Sequence, residues 1–383
     1  MKPRPQTPDS RLQTRLLAWF DEENRQLPWR GTRDPYRIWI SEVMLQQTTV
    51  GAVRSRYEAF LGRFPDLTTL ARAREQSVLA AWSGLGYYAR ARNLHSAARE
   101  ILRRHSGRLP RDPKILRSLP GFGEYTAAAV ASLAFGRRVP AADANVTRVL
   151  SRLFAIAGTT GTKRHGEAVK RYAEALLDRR RPGDGTAALM DLGQLVCTPR
   201  RPDCPACPLA DDCAALERGS PERYPRRPAR PAVERVFVAA ACAARDGRTL
   251  LVQRSGSLLR GLWQFPASEA RSAPAALRAL RHELQTLDLR LDPRKRPIVT
   301  RHTIVHRQLA ISVYRAIAAP ESRSAGADSR SVRWFTPEQL RRAAIPTLTR
   351  KIGLASGFLP AAGQRILDSN ENVEPASAAR RSR

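Results

Sequence analysis

Two different hydrophobic periods divide this chain. Between about residues 11 and 215 the apolar positions recur at helical spacing: Leu12, Leu16, Leu17, Trp19 and Phe20 suit one face of a helix. The segments IWISEVMLQQ, SVLAAWSGL, ARNLHSAAREIL and YTAAAVASLAF carry the same period, separated by the short Gly/Pro breaks GRFPD, GRLPRDP and SLPGFGE. This predicts an all-α body with short connections. At 217–234, ERGSPERYPRRPARPAVE, the pattern stops; prolines at 221, 225, 228 and 231 exclude regular helix and the arginines favour solvent, so an interdomain linker is expected. Beyond it the strand-like runs VFVAAACAA, TLLVQR, HTIVHRQLAISVYRAI and SVRWFT flank one helical stretch, APAALRALRHELQTL, which predicts an α+β domain. The polar end, SNENVEPASAARRSR, is expected to be disordered.

At 383 residues the chain has room for two or three domains, and its hydrophobic fraction of 42% is that of an ordinary soluble protein. No apolar run reaches membrane length, and the start, MKPRPQTPDS, is polar and proline-rich with no signal peptide. A cytoplasmic protein with no membrane partner is expected. Charge changes the picture more: 66 Lys+Arg against 35 Asp+Glu give a formal +31. Such an excess calls for a polyanionic partner, most commonly nucleic acid. Nearly all of it is arginine, a preference that a GC-rich genome also produces, yet the net excess still calls for that partner.

Four of the five cysteines, Cys197, Cys204, Cys207 and Cys213, form the pattern C-x6-C-x2-C-x5-C. Thiolates so close together can surround one metal centre. Disulfides are disfavoured, because cytosolic thiols stay reduced. Spacing alone suits a tetrahedral zinc and an iron–sulfur cluster equally. Cys242, within VFVAAACAA, reads as a small buried hydrophobe. A second chemical signal is SLPGFGEYTAAAV at 118–130, where Gly121 and Gly123 precede a helix opening at about Glu124. Glycines let a backbone approach an anion, and the free amides of a helix start favour phosphate there.

This LPGFGEYTAAA segment resembles the helix–hairpin–helix motif of base-excision DNA glycosylases in the endonuclease III superfamily. The resemblance implies a catalytic aspartate 18 residues after position 125, where Asp143 stands in VPAADANVTRVLSRL, and a [4Fe–4S] cluster on the four cysteines. Members that also cut the strand carry a lysine at position 125; Tyr125 stands there instead, which implies hydrolysis of the glycosidic bond alone. WISEVMLQQTTV at 39–50, GLGYYARARNLH at 84–95 and GLWQFPA at 261–267 are similar to signatures of the adenine DNA glycosylase family, and the likeness runs from about Leu12 to Leu354. The fold it implies is multidomain. An N-terminal helix (1–30) packs with a cluster subdomain (141–216), a helical barrel with the helix–hairpin–helix spans 31–140, and a Nudix-like α+β lesion-recognition domain (235–358) follows the linker, with a disordered tail at 363–383.

Breaking an N-glycosidic bond builds positive charge on the sugar while the base leaves as a poor anion, so two carboxyl groups with different tasks are needed. One must be protonated, which an apolar setting favours; Glu42, among Trp39, Ile40, Val43 and Met44, fits. The other must stay ionised; Asp143 near a helix start fits. The resemblance implies the same roles, with Glu42 as acid and activator of water, Asp143 as stabiliser of the cationic sugar and Tyr125 lining the adenine pocket. Taken alone, a solvated carboxylate and a simple helix cap explain the pair as well. A flipped base leaves a hole in the duplex; Gln47, Thr48, Leu85 and Tyr87 match positions that wedge into it, and Arg200 and Arg201 could grip phosphates.

In the C-terminal domain a magnesium-binding Nudix helix would need several glutamates. In ALRALRHELQT only Glu283 remains, with Ala279 and His282 in the other places, so binding rather than catalysis is expected. The family reads 8-oxoguanine with a Phe-Ser-His loop; here RHTIVHRQL offers Ile304, Val305 and His306, and valine has no hydroxyl. Alanine at 144 replaces the glycine usual after the catalytic aspartate. The expected partner is double-stranded DNA carrying adenine opposite 8-oxoguanine or guanine, bound by a monomer near the nucleoid. The alternatives are a glycosylase for another mispaired base, such as thymine opposite guanine, and a non-catalytic iron–sulfur DNA-binding protein.

Overall fold

The computed structural model describes residues 10–23, 25–229, 231–254, 259–318 and 331–359; the expected disordered tail lies outside them. The chain divides into two compact units after Pro231. The first is all-helical: α1 (Ser10–Glu23), α2 (Pro35–Leu45), α3 (Val50–Arg63), α4 (Leu67–Arg72), α5 (Glu75–Ala81), α6 (Ala89–Arg104), α7 (Pro113–Ser118), α8 (Glu124–Phe135), α9 (Ala144–Leu153), α10 (Lys163–Leu176), α11 (Pro182–Leu195) and α12 (Ala214–Glu217). Asp and Thr side chains start several of them: Asp34, Thr49, Asp66, Asp112 and Asp143 each accept an amide of the helix that follows. Helix α8 has little amphipathic character, and residues 126–132 are all buried. A helix apolar all round belongs in the interior, and α8 lies against α2, α7 and α11. Its alanines and its single serine admit those neighbours closely, with the Ser132 hydroxyl 2.9 Å from that of Thr186.

The 217–234 stretch is less free than its composition suggests. Tyr224 accepts from Arg152 Nε through its carbonyl (3.1 Å) and from Arg218 through its hydroxyl (2.8 Å), and Arg226 O accepts the Thr160 amide (2.9 Å). Prolines prevent a regular α-helix there, leaving one short 3-10 turn at Pro221–Arg223, and backbone carbonyls remain available to partners distant in sequence.

The second unit is a mixed sheet with β1 (Glu234–Arg245), β2 (Arg248–Gln253), β3 (Trp263–Gln264), β4 (Ala267–Ala270), β5 (Leu289–Leu291), β6 (Ile298–Ile304), β7 (Arg307–Ala318) and β8 (Val332–Phe335), with α13 (Ala273–Gln285), α14 (Pro337–Arg342) and α15 (Thr347–Ala355). Strands β1 and β7 pair in parallel from Glu234↔Arg307 to Ala243↔Ala316, and β6 folds back antiparallel on β7. Val236, Val238, Ala240 and Cys242 of β1 enter one core with Leu251, Phe265 and Ile311. The alternate residues Ala239, Ala241 and Ala243 enter another with Leu280 and Leu284 of α13. Both faces of β1 are thus covered, which is why VFVAAACAA is continuously apolar rather than alternating. The architecture is the all-α body followed by the α+β domain that the sequence pattern predicts. Among the described residues no helix is long and apolar enough to cross a membrane.

Candidate active site

Glu42 sits in α2 at 5% exposure, between the buried Trp39, Ile40, Val43 and Met44. Asp34 caps the start of α2 and Pro35 fixes its first turn. From α8, the Tyr125 hydroxyl donates to Glu42 Oε2 at 2.8 Å and lies 3.9 Å from Met190 Sδ of α11. Burial pushes the Glu42 carboxyl up to about 7; the Tyr125 hydrogen bond opposes the rise, the Asp143 charge adds to it, and Arg30 opposes it more weakly. The Tyr125 phenol is raised as well, by burial first and by the two carboxylates next, so it remains a donor.

Asp143 caps α9, accepting the Val146 amide at 2.7 Å and Asn145 Nδ2 at 2.8 Å. Burial raises its pKa, while the Val146 amide and the Asn145 side chain hold it back. Capping α9 and lying within electrostatic range of Glu42 are therefore compatible. Ala144 opens α9 and its backbone is not left-handed, so no glycine is required there. Asn145 Oδ1 accepts Arg148 Nη2 at 2.8 Å, and Arg148 Nε donates to the Cys197 carbonyl at 2.7 Å. Gly193 of α11 permits this proximity: a Cβ there would stand 2.7 Å from Asn145 Cβ and 3.1 Å from its backbone.

The four clustered cysteines are all free and half-buried. Burial pushes up the thiols of Cys204, Cys207 (to about 11) and Cys213, and neighbouring cysteines add to each. Sulfur acceptors already have donors: the Leu209 amide at Cys207, the Ala215 and Leu216 amides at Cys213, and Arg152 Nη1 at 3.3 Å from Cys197 Sγ. Thiols held together like this ionise readily only against a cation, so the donor set fits a metal–thiolate centre. Among the described residues no three His, Cys, Asp or Glu side chains converge on a single ion position.

Other expected contacts are distributed around the α2 end and the hairpin. Gln47 and Tyr87 are exposed with left-handed backbones (φ 53° and 45°), Thr48 is half-buried, and Leu85 is packed inside at 4% exposure. Gly121 and Gly123 bound the turn between α7 and α8; at Gly121 (φ 77°) a Cβ would come 2.7 Å from Asn93 Cβ, whereas Gly123 is the N-cap of α8 with open space beside it. Arg200 and Arg201 are exposed between the first two cysteines. In the second unit Val305 and His306 form the exposed β6–β7 turn, with Val305 at φ 55° and 69% exposure. Glu283 accepts from the Ser268 hydroxyl at 3.1 Å.

Several side chains near the site carry no motif. Asp191, 2% exposed, accepts from Arg25 (3.0 Å) and Arg30 (2.8 Å), and Arg30 acts electrostatically on both Glu42 and Tyr125. The one available signal was a lone carboxylate within the apolar run ALMDLG. Asn145, Arg148 and Arg90 read as ordinary surface residues until the helices are assembled.

Residues 40–175 match the family model described as HhH-GPD superfamily base excision DNA repair protein, and residues 238–354 match a NUDIX domain. The chain is 35% identical to adenine DNA glycosylase of Rattus norvegicus over 393 residues, covering 88% of this chain and 76% of that one. It is 34% identical to adenine DNA glycosylase of Homo sapiens over 397 residues, covering 88% and 72%. Among solved structures it is similar to a thermostable thymine-DNA glycosylase, at 31% identity, with 55% of this chain and 98% of that one covered and a TM-score of 0.49. By its identity to the two adenine DNA glycosylases over most of their length, the chain belongs to the adenine DNA glycosylase family.

Proposed function

We propose that this enzyme removes adenine mispaired with 8-oxoguanine, and less readily with guanine, by hydrolysis alone, with Glu42 as general acid and Asp143 as electrostatic stabiliser. The observation that carries this is the buried carboxyl of Glu42, raised to about 7, with the Tyr125 hydroxyl bonded to its Oε2. A carboxyl held protonated in this way can pass its proton to a ring nitrogen of the flipped adenine. The bond between the sugar and the base then breaks, its electron pair leaving with the base. Positive charge developing on the sugar is stabilised by ionised Asp143, whose own hydrogen bonds favour the anion. Glu42, now a carboxylate, takes a proton from the attacking water and returns to its starting state. Tyr125 in place of lysine leaves no amine there to form a covalent sugar adduct.

In the same reading Cys197, Cys204, Cys207 and Cys213 hold a [4Fe–4S] cluster, as the superfamily resemblance implies. Hydrolysis needs no electron transfer, so the cluster supplies structure, ordering the loop that exposes Arg200 and Arg201 to phosphates. Gln47, Thr48 and Tyr87 contact the distorted duplex, while Leu85, packed at 4% exposure, supports that loop from within rather than touching DNA, and the 119–123 turn binds backbone phosphate. Val305 and His306 of the β6–β7 turn are assigned the recognition of the base opposite adenine. The enzyme acts as a monomer on DNA of the nucleoid. Single-turnover release of adenine from duplexes pairing it with 8-oxoguanine, guanine or thymine, with Glu42→Gln alongside, tests the assignment. Release fastest opposite 8-oxoguanine and lost in the variant is expected; excision by Glu42→Gln at the unmodified rate overturns it.

A further inference from the structure

The Arg90 guanidinium meets more acceptors than its place in a helix start requires. Its Nη1 donates to the carbonyls of Val43 and Met44, both at 2.9 Å, and to that of Gln46. Its Nη2 donates to the Thr48 hydroxyl and the Leu85 carbonyl, both at 2.9 Å, and reaches the Gly86 carbonyl at 3.4 Å. Its Cζ also lies 5.5 Å from the Trp82 ring centroid and 5.4 Å from that of Tyr87.

These partners fall into two groups far apart in sequence. The first three carbonyls are the orphan acceptors of the C-terminal end of α2, beginning one residue after Glu42; a cation there satisfies them and complements the helix dipole. The second group belongs to the 85–87 loop, where Gly86 (φ 69°) and the exposed Tyr87 (φ 45°) are left-handed, as is Gln47 (φ 53°) beyond α2. A non-glycine residue in that region is held there by its surroundings. Arg90 itself stands in the first turn of α6, the end of a helix where a cation is disfavoured, so its placement serves contacts outside its own helix.

We infer that Arg90 is a positioning residue for adenine excision: one guanidinium locks the end of the helix that carries Glu42 to the 85–87 loop that presents Tyr87. The inference rests on the proposed roles of Glu42 and of these two loops. The forked geometry is what the task needs, since an ammonium can satisfy one group of carbonyls but cannot span both.

The test compares wild type, Arg90→Lys, Arg90→Met and Glu42→Gln for single-turnover excision of adenine opposite 8-oxoguanine at saturating enzyme, on active-site-titrated protein well below each variant's Tm. Arg90→Lys is expected to fold and bind the duplex yet excise about tenfold more slowly, and Arg90→Met about 30- to 100-fold more slowly, the size of effect that small misplacement produces. Should Arg90→Met fail to fold, Arg90→Lys decides alone. A lysine variant with lowered Tm but the wild-type excision rate overturns the inference and leaves Arg90 a stabilising residue only. Wild-type excision that Glu42→Gln fails to diminish overturns the underlying active-site assignment instead.

Discussion

The Tyr125 hydroxyl donates to Glu42 Oε2 at 2.8 Å, joining two residues 83 positions apart in sequence. This bond lowers the Glu42 pKa against the larger effect of burial. Tyr125→Phe removes it, and the alkaline limb of the excision rate should move upward by about one pH unit, since a hydrogen bond to a charged group is worth about 1.5–3 kcal/mol and a pH unit about 1.4 kcal/mol. Below pH 6.5 or so the rate should change little. A pH–rate profile at saturating enzyme checks the direction.

Glu42→Gln should cost about 10²–10⁴-fold in excision, the usual range for a general acid. It should also stabilise the fold, with a definite pH signature. The native carboxyl titrates near 7 against a usual 4.5, so the native state holds the extra proton between those values. Wild-type stability therefore falls as pH rises through that window, by about 3–4 kcal/mol in all. Thermal unfolding should place Glu42→Gln above wild type at pH 8 and level with it near pH 4.5.

Asp143→Asn separates catalysis from capping. Asparagine caps helices as well as aspartate, so unfolding free energy should stay within about 0.5 kcal/mol. Excision should fall by about 10²–10³-fold, because the amide cannot answer positive charge on the sugar. Loss of stability with unchanged excision would leave Asp143 a cap alone.

Val305→Ser should sharpen the preference for 8-oxoguanine over guanine by about five- to tenfold, one hydrogen bond's worth. Serine also tolerates the left-handed turn position better than a β-branched residue does. An unchanged ratio of excision rates on the two duplexes would remove hydroxyl loss as the reason for any relaxed discrimination.

Purified protein should be coloured, with broad absorbance at roughly 400 nm, as iron–sulfur thiolate centres show. Metal analysis should return iron and sulfide, and Cys204→Ser should lose most of both. Stoichiometric zinc in a colourless sample would replace the cluster with a mononuclear site.

Much of the fold was legible because it is written in local spacing. The helical period to about residue 215, the proline-rich break and the strand runs that follow depend on each residue's own neighbours. Glu42 and Asp143 were legible as candidates through motifs, and the apolar neighbours of Glu42 already indicated a raised pKa. Arg90, Arg148 and Asp191 were not. Each is a charged residue on a helix, and beside local partners Arg90 reaches groups 42 to 47 residues away, Arg148 groups 45 to 49 away, and Asp191 pairs with arginines 161 and 166 away.

The chain's sequence by itself settled the helical period of the first body and the main strand runs of the second, that four thiols stand at metal-binding spacing, and that position 125 lacks an amine. Only tertiary structure decided that Tyr125 bonds Glu42, that Asp143 is half-desolvated while capping α9, and that Leu85 is packed while Tyr87 is exposed. The reason is physical. Period and turn chemistry are properties of adjacent residues, whereas burial, pKa and hydrogen-bond partners depend on which distant helices exclude water from the same point.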